Sequence, residues 1–136
     1  MEFQKPSVGV AVIVCKDNKV LVGKRLSSHG AGTWAFPGGK LEFTESIESC
    51  AQRETLEETG LKIKNLRNAA FTNDVFASEG KHFVTLFIVA DHAEGEPNAL
   101  EPEKAISWHW VAWNALPQPL FLPIQNLLKQ GFNPFK

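Results

Sequence analysis

One helix constrains this chain more than any other feature. Residues 45–59 read as a helix that starts apolar and ends in acid on the same face. Thr44 is a good N-cap residue, and Glu45 and Glu48 place negative charge in the first turn, where the helix dipole favours it. Gly60 follows the last turn and suits the left-handed conformation that closes a helix. At about 100° per residue, Cys50 and Ala51 fall within about 60° of Ile47 and form an apolar stripe. Glu54, Glu57 and Glu58 continue that stripe at spacing i, i+3, i+4, so their side chains lean together. Like charges so placed destabilise a helix by roughly 0.2–0.5 kcal/mol per pair, and by more when partly buried. Hard divalent cations take oxygen ligands, so three carboxylates on a rigid face are a natural seat for one. The alternative is a solvated acidic face.

The rest of the chain surrounds that helix with strands. Val8 to Cys15 is small, β-branched and continuous, as in a strand buried on both faces. Lys16 to Lys19 is a polar turn, and Val20 to Val22 resumes as the second arm of a hairpin. Residues 27–33 read as a loop, and Trp34 to Phe36 as a short strand ending at Pro37-Gly38-Gly39. Leu61 to Val75, His82 to Ala90 and Ile106 to Val111 are further strand segments. Glu94 to Lys104 is an acidic loop, and Leu120 to Gln130 a second helix. The pattern is α+β, a mixed sheet flanked by helices, in a single domain spanning residues 1–136. Fourteen basic against fifteen acidic residues give a net charge of -1, which excludes a sequence-independent nucleic-acid binder. The longest apolar stretch is about eight residues, too short for a membrane span. The first residues lack the basic start and apolar run of a secretion signal, and Cys15 and Cys50 are too few for a disulfide framework. Both read as reduced core thiols of a cytoplasmic protein.

Two features beside the acidic stripe favour the cation seat over a solvated face. Arg53 stands next to the cluster with Glu45 two turns earlier, within reach of its guanidinium, a pair able to pin the helix and orient its neighbours. Gly38 and Gly39 let the backbone approach a ligand closely, because no Cβ stands in the way. Taken together, the stretch is Gly39, five residues, Glu45, seven residues, then Arg53-Glu54-Thr55-Leu56-Glu57-Glu58-Thr59-Gly60-Leu61. This resembles the signature of the Nudix hydrolases. Its one departure is Thr55, where the motif carries an aliphatic residue. Thr is β-branched and close to Val in size, so the fold is expected to tolerate it. The likeness extends to Val22-Gly23-Lys24-Arg25, Phe36-Pro37-Gly38-Gly39, Glu101-Pro102-Glu103-Lys104 and Gly131-Phe132-Asn133-Pro134-Phe135. These resemble a branch that includes the human thiopurine-triphosphate diphosphatase and a plant cytosolic enzyme. Ile106 and His109 stand where that branch usually carries acids.

The resemblance implies a Nudix α/β/α sandwich with a mixed β-sheet and a central catalytic helix. It implies an Mg²⁺-dependent diphosphatase (Mn²⁺ as substitute) that splits a nucleoside triphosphate, 8-oxo-dGTP among the candidates, into a monophosphate and pyrophosphate. Glu54, Glu57 and Glu58 would hold the metal with the Gly39 carbonyl, Arg53 and Glu45 would be the structural pair, and Glu57 or Glu54 would take a proton from the attacking water. The implied substrate contacts are Arg25, Phe36, Gly38, Gly39, Leu122 and Ile124, with Phe121 beside them. The motif handles only phosphates, so dihydroneopterin triphosphate, a prenyl diphosphate, or ADP-ribose and NADH are alternatives, as is a ligand-binding module without catalysis. A small-molecule nucleoside polyphosphate is the expected partner, with no nucleic acid and no membrane, in a homodimer. Trp108, Trp110 and Trp113 read as core or dimer interface, Glu101 and Glu103 as a solvated acidic loop able to reach a metal, and the four histidines show no zinc spacing.

Overall fold

The structure is a computed structural model that describes residues 4–26 and 29–136. Ser27 and Ser28, part of the expected loop, lie outside the described residues. The strands are β1 (Ser7–Lys16), β2 (Lys19–Arg25), β3 (Trp34–Ala35), β4 (Gly38–Lys40), β5 (Lys62–Phe76), β6 (Lys81–Glu94) and β7 (Ala105–Ala112). The helices are α1 (Ile47–Thr59) and α2 (Leu122–Lys129). The sheet has the order β3-β2-β1-β6-β5, with β4 also pairing to β1 and β7 to β2. β1 and β6 run parallel and the other named strand pairs are antiparallel, so the sheet is mixed.

The unbroken apolar run of β1 becomes two cores. Successive strand residues face opposite ways. Val10, Val12 and Val14 join Cys50 and Ala51 of α1 on one face, and Ile13 and Cys15 join Ile124 and Leu127 of α2 on the other. The layers are helix, sheet, helix, as the family resemblance implied. Cys15 and Cys50 are both free and buried. Burial pushes their thiols up, to about 11 for Cys15 and about 12 for Cys50, so neither is a thiolate at neutral pH.

α1 begins later than its sequence suggests. Thr44 sits at φ 70 and is not the cap. Ser46 is, its hydroxyl accepting from the Ser49 amide at 3.1 Å. The left-handed turn at Thr44 leaves Glu45 outside the helix, where its carboxylate is free to reach sideways. Gly60 closes the helix at φ 79, as expected. Thr55 is fully buried, and its hydroxyl has no hydrogen-bond partner among the described residues. An unsatisfied buried hydroxyl is costly. Thr55→Val is therefore expected to raise the unfolding free energy by about 1 kcal/mol, read as a higher denaturant midpoint at unchanged m-value.

Candidate active site

The first functional feature is an ion-pair fork. Arg53 donates through Nε to Glu45 Oε2 at 2.7 Å and through Nη2 to Glu45 Oε1 at 3.0 Å, a bidentate clamp. The same guanidinium donates through Nη1 to Glu54 Oε1 at 2.6 Å and Glu57 Oε2 at 3.4 Å. The Arg53 hydrogen bond holds the Glu45 carboxyl down to about 2, and the Glu45 bond raises Arg53 above its ordinary value. Arg53 and Glu45 thus meet as expected, and Arg53 sets the rotamer of Glu54.

The three helix carboxylates divide. Glu54 and Glu58 are buried, at 9% and 8% exposure, while Glu57 lies exposed on the flank beside Arg53. The helical rotation explains this. From Glu54, Glu58 is displaced by about 40° and Glu57 by about 60° the other way, past the edge of the buried arc. Among the described residues no three His, Cys, Asp or Glu side chains form a ready-made metal cage. Glu58 Oε1 accepts from the Gly38 amide at 3.0 Å. Burial pushes the Glu58 carboxyl up to about 8, with Glu54 and Glu101 adding to the shift, and burial likewise raises Glu54. Two desolvated acids side by side need a cation, and their hard oxygen donors fit a divalent one. The glycine turn fits as well, since a Cβ at Gly39 would fall on the Glu54 carboxylate.

A cavity of about 300 Å³ opens from this acidic corner. Gly38, Gly39, Glu54, Glu58, Arg25 and Lys104 line its polar end. Phe36, Phe76, Phe83, Phe87, Phe121 and Trp108 line the rest. The hollow lies where small residues of β1 pair with the face of β6 that carries Phe83, Thr85 and Phe87: Ser7 with Phe83, Gly9 with Thr85 and Ala11 with Phe87. Arg25 stacks its guanidinium 4.2 Å over the Phe121 ring and donates to the His29 carbonyl at 3.1 Å. His29 stacks on Phe83 with ring centroids 4.9 Å apart and meets Phe76 edge-on at 4.7 Å. Thr85 donates its hydroxyl proton to the fully buried Asp74 at 2.6 Å, which also accepts from Thr72 and from Asn126. With that proton committed, Thr85 offers the cavity a lone pair only.

Arg25, Phe36, Gly38, Gly39 and Ile124 all line the cavity. Phe121, expected beside them, lines it too, as does Pro123, while Leu122 does not. Phe36 is wall and core at once, stacked on Trp113 at 6.1 Å. Trp108, read from sequence as core or interface, is a lining residue. Glu101 is held near Glu58 because the Leu100 amide donates to the Glu58 carbonyl, and it pairs with Lys104 at 3.5 Å. Sequence reading did not assign Phe76, Phe83, Thr85 or Lys104 to the site. The alternation Phe83, Thr85, Phe87 on one strand face was the available signal.

A comparison with known proteins agrees with this architecture. The chain is 31% identical to a MutT NUDIX hydrolase from Burkholderia pseudomallei, whose crystal structure superposes with a TM-score of 0.88 over 95% of this chain and 100% of that one. It is 37% identical over 86 residues to the oxidized purine nucleoside triphosphate hydrolase of Danio rerio, covering 63% of this chain and 55% of that protein. It is 36% identical over 104 residues to the ADP-ribose pyrophosphatase of Methanocaldococcus jannaschii, covering 75% of this chain and 60% of that protein. The chain therefore spans little more than half the length of these two curated relatives. The NUDIX domain model matches residues 5–130, so the chain belongs to the NUDIX domain family.

Proposed function

We propose that this protein, acting as a single domain over residues 1–136, hydrolyses nucleoside triphosphates to a monophosphate and pyrophosphate, with oxidised or ordinary purine deoxynucleotides as substrates. The observation that carries the reading is the joining, in one cavity, of a buried carboxylate pair at Gly38–Gly39 with an aromatic wall. The acidic corner handles phosphate and the rings accept a base face. The lone pair of Thr85 supports a base that presents an N–H, as guanine does. The relative named for oxidised purine triphosphates supports the same class.

Family members generally use divalent ions, and here we assign Mg²⁺, with Mn²⁺ as substitute. Glu54, Glu58 and the Gly39 carbonyl would hold it, with Glu57 able to join by a rotamer change. Bound there, the ion would polarise the phosphoryl oxygens and offset their charge. Arg25 would fork onto phosphate oxygens from the opposite wall. Arg53, clamped by Glu45, positions Glu54. Glu54 or Glu57 takes a proton from the attacking water while the bond to the departing pyrophosphate breaks.

Purified protein with dGTP or 8-oxo-dGTP and Mg²⁺ should release pyrophosphate and the monophosphate. Cleavage of ADP-ribose in preference to both, or no turnover of any of the three, would overturn this assignment. The reading extends to a cytoplasmic homodimer, supported by the reduced buried thiols and by the family resemblance. Light scattering should return twice the single-chain mass of 15.1 kDa, and the single-chain value would refute the dimer.

A further inference from the structure

A second cavity, of about 480 Å³, adjoins the first, and Lys40 and Phe83 line both. Its other charged or titratable lining residues are Lys5, Lys81 and His82. No carboxylate lines it. Among the described residues none of the three lysines forms an ion pair. His82 is tied by its Nε2 to Asn73 at 2.6 Å.

The sheet topology brings these cations together. β1 and β6 run parallel, so their first residues lie at one end of the sheet, where Ser7 pairs with Phe83. β4 runs against β1 and ends there, with Lys40 opposite Gly9. Lys5 precedes β1, Lys81 opens β6 and Lys40 closes β4. Lys40 lies two strand positions, about 7 Å, along from Gly38, whose amide holds the Glu58 carboxylate. Lys40 lies 5.8 Å from the centre of the Phe83 ring that divides the two cavities. The field of this cluster reaches the first cavity, where Lys81 and Lys40 both act against protonation of His29.

Three lysines with no ion pair among the described residues, around an open cleft that shares lining with a site whose own corner is acidic, suit a polyanion that runs from one cavity into the other. We propose that Lys5, Lys40 and Lys81 form a subsite for the terminal phosphates of a nucleoside triphosphate, and hold them as the pyrophosphate leaves. The assignment rests on the function proposed above and adds what that function leaves open: why a triphosphate would be preferred to a diphosphate.

The test compares the parent with Lys5→Ala, Lys81→Ala and the double variant, all at exposed positions. The ratio of kcat/KM for dGTP to that for dGDP should fall about fivefold for one lysine and about tenfold or more for both. Inorganic pyrophosphate, titrated calorimetrically in the presence of Mg²⁺, should bind correspondingly more weakly, and the loss should shrink at high salt. An unchanged substrate ratio together with unchanged pyrophosphate affinity would overturn the subsite. If the parent turns over no nucleotide, the failure belongs to the proposed function. The pyrophosphate titration then decides the subsite alone: weaker binding by the double variant sustains it and equal binding removes it.

Discussion

Glu58→Gln is expected to abolish pyrophosphate release while making chelator-treated protein more stable above pH 7. Burial pushes the Glu58 carboxyl up from 4.5 to about 8, with the Gly38 amide and Lys104 opposing and Glu54 and Glu101 reinforcing. Between these values the folded protein holds a proton that the unfolded chain has already released. Stability therefore falls as pH rises through that window. His29 acts with the opposite sign. Burial first, then Arg25, Lys81 and Lys40, hold its imidazole down from 6.5 to about 4. In that range the unfolded chain binds a proton that the fold refuses, so stability rises with pH. The two slopes oppose each other from about pH 4.5 to 6.5, with the raised Glu54 adding to the fall, and between about pH 6.5 and 8 the Glu58 decline of about 2 kcal/mol is no longer opposed by His29. Denaturant midpoints in chelator should fall most steeply above about pH 6.5. In Glu58→Gln that steep fall should be lost, and excess divalent ion should remove the parent's decline. Turnover should drop by about 10²–10³-fold, the scale for losing one electrostatic stabiliser of a transition state. A level parent profile would contradict the burial argument, and undiminished turnover would contradict the metal role.

The paired glycines should separate stability from activity. A Cβ at Gly38 would collide with the Val10 carbonyl oxygen and lie 3.0 Å from the Ala11 Cα, both backbone atoms of the central strand β1. Backbone there has nowhere to move, so Gly38→Ala is expected to cost about 3 kcal/mol. The three atoms nearest a Cβ at Gly39 would all belong to the carboxylate end of Glu54, the far end of a flexible side chain. Gly39→Ala should keep its fold within about 1 kcal/mol, yet lose roughly 10²-fold in turnover, with weaker divalent-cation uptake by calorimetry. Equal destabilisation by both substitutions would show that Glu54 is not the neighbour that matters.

The outcome at α1 shows where sequence reading succeeds and where it stops. Periodicity located the helix, its acidic stripe and its closure at Gly60, because these depend on local spacing. It put the start two residues early, because Thr44 adopts a left-handed turn that no propensity announces. That turn frees Glu45 to clamp Arg53, so the pairing expected from spacing is made, but from outside the helix. The division of Glu54 and Glu58 from Glu57 was invisible for a related reason. A stripe about 100° wide contains all three, and only the packing against β1 and β4 decides where its buried edge falls. Of Phe121, Leu122 and Ile124, implied together as cavity wall, Phe121 and Ile124 line it with Pro123 and Leu122 does not, because adjacent helix residues diverge by about 100°.

By itself the sequence determined the α+β class, a strand buried on both faces from Val8 to Cys15, and the acid, arginine and glycine positions of the motif segment. All of these follow from interactions between residues close in the chain, whose geometry has a fixed period. Only the tertiary structure decided which carboxylates are buried, that Thr85 faces the cavity with its proton held by Asp74, and that lysines from three separate strands and their flanks share one cleft. Those depend on strand register and on the parallel pairing of β1 with β6, which join segments more than seventy residues apart and leave no local mark.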